Sequence, residues 1–297
     1  MNININLLNE LENESISIIR DSYACSYNPV LMYSIGKDSS VLLHLVKKAF
    51  YPSRIPFPLL HIDTKWKFTE MIAFRKKIEK KNRIKILKYT NQKGLNLNPQ
   101  SDKNYTDVMK TDALKEALDQ NKFDVIFGGA RRDEEVSRSK ERIVSLRDKN
   151  HIWNPKNQRP EIWNLYNYEK DNEQSLRVFP LSNWTENDIW TYIFRENIEV
   201  VELYKAKIRK CVLRDGSYFM IDDSRFEIKK NEKVLYEKIR FRTLGCYPLT
   251  AGIKSNAYNI LDIIKENKFL TNSERSGRLI DDDKIGSMEI KKKSGYF

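Results

Sequence analysis

Short apolar runs alternating with helical apolar patterns predict an α/β protein: a doubly wound, mostly parallel five-stranded sheet with helices on both faces. A second observation agrees. After three of the runs come polar residues able to hold an anion or a metal, and in parallel sheets such residues gather at the carboxyl ends of the strands. Third, the chain has 297 residues, 40% of them hydrophobic, enough for one large domain with an appendage. The expected division is an α/β domain over residues 1–200 and an irregular α+β extension over 201–297.

Taken in order, Leu7, Leu8, Leu11, Ile16, Ile18 and Ile19 recur at helical spacing and predict a helix over 5–23. Asn28-Pro29 breaks it and starts a strand over 30–33. The polar turn 34–40 leads into a helix over 39–50, carried by Val41, Leu42 and Leu45. The proline-rich stretch 51–58 must run extended into a strand over 59–62 that stops at Asp63. A helix over 64–81, an alternating strand over 83–89, a polar loop over 90–106, a helix over 110–120 and a strand over 123–127 continue the alternation. The charged run 130–149 reads as helical around Arg138, Lys140 and Arg142, and 151–168 as a Trp/Asn/Pro-rich loop. A fifth strand is expected over 176–179. Thr185-Glu-Asn-Asp188 is a reciprocal capping pattern that opens the next helix. Beyond residue 200 the pattern weakens. Asp215-Gly216 predicts a hairpin, 257–267 a short helix, and the polar end at 281–297 has little to bury and orders only against a partner, the favoured reading, or a nucleotide.

The formal charge of +12 favours polyanionic partners. It is spread along Lys-rich stretches such as 76–86, without a basic patch in a recognised module, so nucleic acid is set low. Cys25, Cys211 and Cys246 are far apart, which argues against a disulfide framework or a structural metal site. The first residues lack a basic start followed by an apolar core, and no stretch reaches the ~20 apolar residues that span a bilayer. A cytosolic protein is expected.

Three turns carry candidate chemistry. In Ser34-Ile-Gly-Lys-Asp-Ser-Ser40, a strand meets a helix N-terminus across a polar turn, the geometry that offers backbone N–H groups and a positive dipole end to phosphate. Ser34, Ser39 and Ser40 add hydroxyls, Gly36 close backbone approach, Lys37 a point charge and Asp38 a carboxylate for a metal or for Lys37. It lacks the Walker A spacing, and its plain alternative is a capped helix start. After the second strand, Asp63 suits Mg²⁺ or a ribose hydroxyl, or else an N-cap. After the fourth, Gly128-Gly129-Ala-Arg131-Arg132 brings two guanidiniums to the same rim, and Arg is the planar binder of oxyanions. Arg138 and Lys140 follow, either as further anion ligands or as a solvated face paired with Glu134, Glu135 and Glu141. His44 reads as packed, His61 as pointing to the rim, and Cys246 as a turn residue without a nucleophile's partners.

The 34–40 turn resembles the pyrophosphate loop of the ATP pyrophosphatases, and Leu60-His-Ile-Asp-Thr64 with Pro180-Leu-Ser-Asn-Trp-Thr-Glu-Asn-Asp-Ile-Trp190 resembles their phosphoadenylylsulfate reductase branch. Phe127-Gly-Gly-Ala-Arg-Arg-Asp-Glu-Glu135, Asn154-Pro-Lys-Asn-Gln-Arg-Pro-Glu161, Arg240-Phe-Arg-Thr-Leu-Gly-Cys246 and the terminal Gly-Tyr-Phe297 are similar to the small subunits of bacterial sulfate adenylyltransferases. The resemblance implies an adenine nucleotide alpha hydrolase-like fold and adenylyl transfer from ATP to sulfate. It also implies Mg²⁺ with the ATP and a GTPase large subunit as partner. On that pattern Ser34, Gly36, Lys37, Asp38, Ser39, Ser40 and Asp63 hold ATP and the leaving pyrophosphate. Lys37, Arg131 and Arg132 act in catalysis. Arg131, Arg132, Arg138 and Lys140 are candidates for sulfate and α-phosphate oxygens, and Asp38 or Asp63 for the metal. The 201–297 extension would complete the site and dock the partner. The reductase motif Glu-Cys-Gly-x-His and the CxxC pairs of tRNA-thiolating relatives are absent; a degenerate ATP-binding subunit is the other reading. Ile35 and Lys65 stand where the pattern has glycine, and a positive φ at Lys65 would strain a lysine.

Overall fold

The computed structural model describes residues 5–82 and 84–269, together with Glu274. Its elements in chain order are α1 (Ile5–Ala24), β1 (Pro29–Met32), α2 (Lys37–Phe50), β2 (Leu59–Ile62), α3 (Thr69–Asn82), β3 (Ile86–Tyr89), α4 (Ala113–Asn121), β4 (Val125–Phe127), α5 (Val136–Ser139), β5 (Val144–Arg147), β6 (Ser175–Val178), α6 (Glu186–Arg195), β7 (Lys207–Arg214), β8 (Ser217–Met220), β9 (Leu235–Arg240), β10 (Ile253–Lys254) and α7 (Ile260–Asn267).

The main sheet has the order β3-β2-β1-β4-β6-β5. Every pair in it is parallel except β5 with β6. Successive strand residues point to opposite faces, and the packing follows that period. Leu31, Leu59, Val125 and Phe127 join the large core with α1, α2 and α6. Val30, Leu60 and Ile126 pack instead against Leu114, Ala117 and Leu118 of α4. Helices therefore cover both faces, as the alternation predicts.

The sheet has six strands where the sequence predicts five. The charged run 130–149 is not one helix: α5 spans a single turn, and β5 follows it antiparallel at the sheet edge. Val144 and Leu146 alternate with Ser145 and Arg147, but four residues of alternation are hidden among charges on either side. The charges themselves are satisfied internally, since buried Arg147 pairs with Glu141. The helix predicted from residue 64 begins at Thr69, after a turn. The one predicted from residue 110 opens as a π-helical turn over Asp107–Asp112 before α4.

The capping pattern at Thr185 forms as expected: its hydroxyl accepts from the Asp188 amide at 3.1 Å, and its own amide donates to the Asp188 carboxylate at 2.9 Å. Beyond residue 200 the chain builds a second, antiparallel sheet, β10-β9-β7-β8. Its β7–β8 hairpin turns at Asp215 and Gly216, both at positive φ as a two-residue turn requires. Val212, Phe219, Phe241 and Tyr247 lie in the same core as Leu31 and Val41, so the second sheet is welded to the first. Among the described residues no helix is long and apolar enough to cross a membrane. The expectation for 281–297 lies outside the described residues.

Candidate active site

From β1 the chain moves to β2 and β3 on one side, then returns to β4 and β6 on the other. The carboxyl ends of β1 and β4 thus flank the switch point, where open parallel sheets bind ligands. After β1, Ile35 adopts φ +73°, a region uncommon for β-branched residues and costing on the order of 1–2 kcal/mol. Its side chain is fully buried, and that burial offsets the strain. Gly36 has an ordinary negative φ and is the N-cap of α2, so the position needing glycine's freedom holds isoleucine. After β4, Gly129 passes so close that an added Cβ would lie 3.2 Å from the Asp38 carbonyl carbon and 3.3 Å from the Ser39 amide nitrogen. Any larger residue would push the two turns apart by a few tenths of an ångström.

The Lys37 amide donates to the Tyr204 hydroxyl at 2.8 Å. Ser39 and Ser40 hydroxyls donate back to the Gly36 carbonyl at 2.9 and 3.0 Å, and Ser34 donates to Ser39 at 3.2 Å. A cavity of about 240 Å³ opens over this rim, lined by Ser34, Gly36, Lys37, Asp38, Ser39 and Arg138, by Thr64 beside β2, and by Lys67, Lys110 and Gly245. Ser40 and Asp63 are not in its lining.

Two clusters meet there. In the loop cluster, Lys37 and Arg131 are buried cations. Arg131 Nε donates to Asp38 at 2.7 Å, Lys37 Nζ to Asp38 at 3.1 Å, and both reach the buried carboxylate of Glu274. Burial opposes each charge, yet Asp38 and Glu274 outweigh it and hold both pKa values above the ordinary range. Glu274 was not foreseen: an isolated acid among polar residues carries no local signal.

The predicted oxyanion residues separate. Arg138 lines the cavity; it pairs with Glu134 at 3.2 Å, and its Nη1 is buried without a hydrogen-bond partner among the described residues. Arg131 lies beneath the lining as the buried strut between Asp38 and Glu274. Arg132 turns away, bonding Asn183 and Glu161 at 2.9 Å each. Lys140 is exposed and also outside the lining. Both departures follow from the turn after β4: with no long helix there, the side chains do not share one face.

For a metal, among the described residues, Asp38 has company and Asp63 does not. The ligand atoms of Asp38, Glu134 and Glu274 lie within 4.8 Å of one another. Asp63 accepts from Arg75 at 3.1 Å and from the Lys65 amide at 3.0 Å. Burial alone would raise its pKa, but those two partners hold it below the ordinary carboxylate value. Lys65 has φ +61°, the strained conformation anticipated for it.

The β2 cluster was largely missed. His61 is buried, and its Nδ1 donates to the Tyr33 carbonyl at 2.7 Å, which leaves Nε2 an acceptor without a partner among the described residues. Burial, with Lys67 nearby, pushes its pKa down to about 3, so the ring is neutral. Lys67 is only 8% exposed; burial pushes its pKa down, and the Lys110 charge adds to that. Cys246 lies against Thr64 at 3.4 Å and bonds Lys110. Burial would raise its thiol, but the two lysines outweigh that and lower it. The available signal was Trp66-Lys67-Phe68, a charge between two aromatic residues in a segment that must be buried.

The phosphoadenosine phosphosulfate reductase domain family matches residues 28–252. The chain is 57% identical to sulfate adenylyltransferase subunit 2 of Aliivibrio fischeri, over 98% of this chain and 97% of that one. It is 56% identical to its Vibrio cholerae counterpart over the same shares. In fold it is similar to Candida glabrata FMN adenylyltransferase in complex with ATP, with a TM-score of 0.52, 15% identity, and 93% and 88% of the two chains covered. The chain therefore belongs to the sulfate adenylyltransferase subunit 2 family, built on the phosphoadenosine phosphosulfate reductase domain.

Proposed function

We propose that this chain transfers the adenylyl group of ATP to sulfate, giving adenylyl sulfate and pyrophosphate. The observation that carries the reading is the cation pair Lys37–Arg131 at the N-terminus of α2, beside the switch point, in a chain whose full-length relatives carry the sulfate adenylyltransferase name. A sulfate oxygen attacks the α-phosphorus, the bond to the α,β-bridging oxygen breaks, and pyrophosphate leaves with that electron pair. Charge balances without a proton transfer, so the protein's work is positioning and charge stabilisation.

In this reading the α2 N-terminus and Lys37 hold the leaving pyrophosphate, with Ser34, Gly36 and Ser39 shaping the loop. Arg138 reaches the α-phosphate oxygens, and Arg131 keeps Asp38 in place. Mg²⁺ carried with ATP would be held by Asp38 and Glu134 and would neutralise phosphate charge. The triphosphate exchanges for the Glu274 carboxylate, whose burial makes it ready to leave. Tyr204 and the 243–245 turn, both from the 201–297 extension, complete the site around the bound nucleotide. The "subunit 2" name of the relatives supports a large-subunit partner, and by the family resemblance that partner is a GTPase whose hydrolysis drives the unfavourable equilibrium.

The test is pyrophosphate release from ATP with and without sulfate, each with and without the large subunit. The expected result is release that requires sulfate. Release indifferent to sulfate would contradict the reading.

A further inference from the structure

Away from the cavity, one strained turn holds apolar side chains out in solvent. Glu161-Ile-Trp-Asn-Leu165 closes a two-residue hairpin: Ile162 and Leu165 form a bridge, and the Leu165 amide donates to the Ile162 carbonyl at 2.9 Å. Such a turn needs positive φ at both central residues, and Trp163 and Asn164 adopt +53° and +59°. Asparagine tolerates that region; a bulky aromatic residue rarely enters it. At Ile35 burial offsets the same strain, whereas Trp163 is 88% exposed, with Ile162 49% and Leu165 70% exposed beside it. The hairpin is nonetheless held at both ends. Glu161 accepts from Arg132 at 2.9 Å and from the Ile143 amide, and Tyr166 packs against the large core. Arg132 belongs to the turn after β4 that also carries Arg131, so the base of the hairpin is continuous with the rim of the site. Arg159 is answered by Glu169 at 3.4 Å; Arg142, next to the bonded Ile143, and Lys156 are exposed.

We propose that the 162–165 hairpin is a docking surface for the large subunit, with Trp163 entering an apolar pocket there whose rim is acidic. This rests on the large-subunit partner of the proposed function and adds where that partner sits. Three observations select the occupant. The "subunit 2" name of relatives that match along the whole chain supports a protein partner. An aromatic anchor with two aliphatic neighbours, held ready on a pinned turn, is the form in which protein interfaces concentrate their energy, because little ordering is left for binding to pay. Exposed Arg142 and Lys156, on a chain of formal charge +12, complement negative charge around the pocket. A ring kept in water on a strained backbone contributes nothing to the fold by itself; enclosed by a partner, it contributes its whole area.

The purified large subunit, immobilised on a biosensor, is titrated with the native chain and its variants. Trp163→Ala and Trp163→Gly remove an exposed ring, so their unfolding midpoints should be no lower than that of the native chain. Their Kd for the large subunit should rise by at least about thirtyfold, the scale of a hot-spot aromatic. Arg142→Glu should weaken binding by about threefold to tenfold at low salt and less at high salt. In turnover assays, excess large subunit should restore Trp163→Ala to the native maximum, as a loss of docking alone requires. Native affinity in both Trp163 variants would overturn the surface and leave the large-subunit reading standing. Lowered midpoints in both would overturn it too, by assigning the ring to the chain's own fold. So would a native dimer in sedimentation of the chain alone that Trp163→Ala dissociates, since the surface would then belong to a second copy. A native chain that does not bind the large subunit would overturn the partner reading and this surface together.

Discussion

The two clusters that share the cavity handle buried positive charge in opposite ways. Around the α2 N-terminus, Lys37 and Arg131 are answered by Asp38 and Glu274 from within the chain. Around β2, buried Lys67 has no carboxylate within ion-pair distance among the described residues and lies near a thiol and a neutral imidazole. A cation with an internal counter-ion is stable empty and must exchange that ion for a ligand; a cation without one gains more when the ligand arrives. The first arrangement suits a large, highly charged group that is to be released. Each cluster is also entered through a non-glycine residue at positive φ, Ile35 on one side and Lys65 on the other.

The sharpest way to break the comparison is at Lys37. Lys37→Ala should lower adenylyl transfer by at least about 100-fold, the scale of removing one electrostatic stabiliser, in a steady-state assay with the large subunit. Next comes the contrast between two arginines. Arg138→Ala should cut kcat by about tenfold or more with an unchanged unfolding midpoint. Arg132→Ala should cost about 1 kcal/mol of stability, measured by urea unfolding, and leave turnover within about threefold. A smaller effect tests the internal counter-ion: Glu274→Gln should tighten an ATP analogue about threefold to tenfold in calorimetric titration, whereas weaker binding would show that Glu274 serves the bound state.

The β2 cluster has a pH signature. His61 is held neutral in the fold down to about pH 3, while the unfolded chain takes up its proton near the ordinary value of 6.5. The unfolded state therefore binds more protons below pH 6.5, and stability falls as pH drops from there toward 3, by roughly 1 kcal/mol per unit for this group. Urea unfolding at pH 7 and pH 5.5 should show the loss in the wild type and less of it in His61→Gln. The smallest effect is at Lys65, which is exposed: Lys65→Gly should stabilise by up to about 1 kcal/mol, strain relief being partly offset by the entropy of an unfolded glycine.

How much of this could be read beforehand depended on whether the signal was local. The turns after β1, β2 and β4 were visible because each is a short polar motif at the end of an apolar run, and the parallel-sheet rule brings such ends together. The Thr185 cap and the Asp215-Gly216 hairpin were visible for the same reason. β5 was not, because Val144 and Leu146 are outnumbered by neighbouring charges, among them Arg147 and Glu141, which pair within the same run. Nor were Tyr204, the 243–245 turn and Glu274, which reach the Lys37 loop only after the second sheet packs onto the first. Lys67 is one step further away: nothing in sequence marks a lysine that the fold buries with no carboxylate in ion-pair distance among the described residues. The glycine departures were legible as residues out of place, and the structure supplies the angles that make them so.

Everything above turns on attack by sulfate at the α-phosphorus in this cavity. Its most direct measurement supplies sulfate labelled with oxygen-18 to the chain with its large subunit and follows the label by mass spectrometry. The account predicts a nucleotide product that carries all of the sulfate's label, including the oxygen bridging sulfur and phosphorus, with unlabelled pyrophosphate. Unlabelled AMP, or ADP with labelled or unlabelled phosphate, would contradict it.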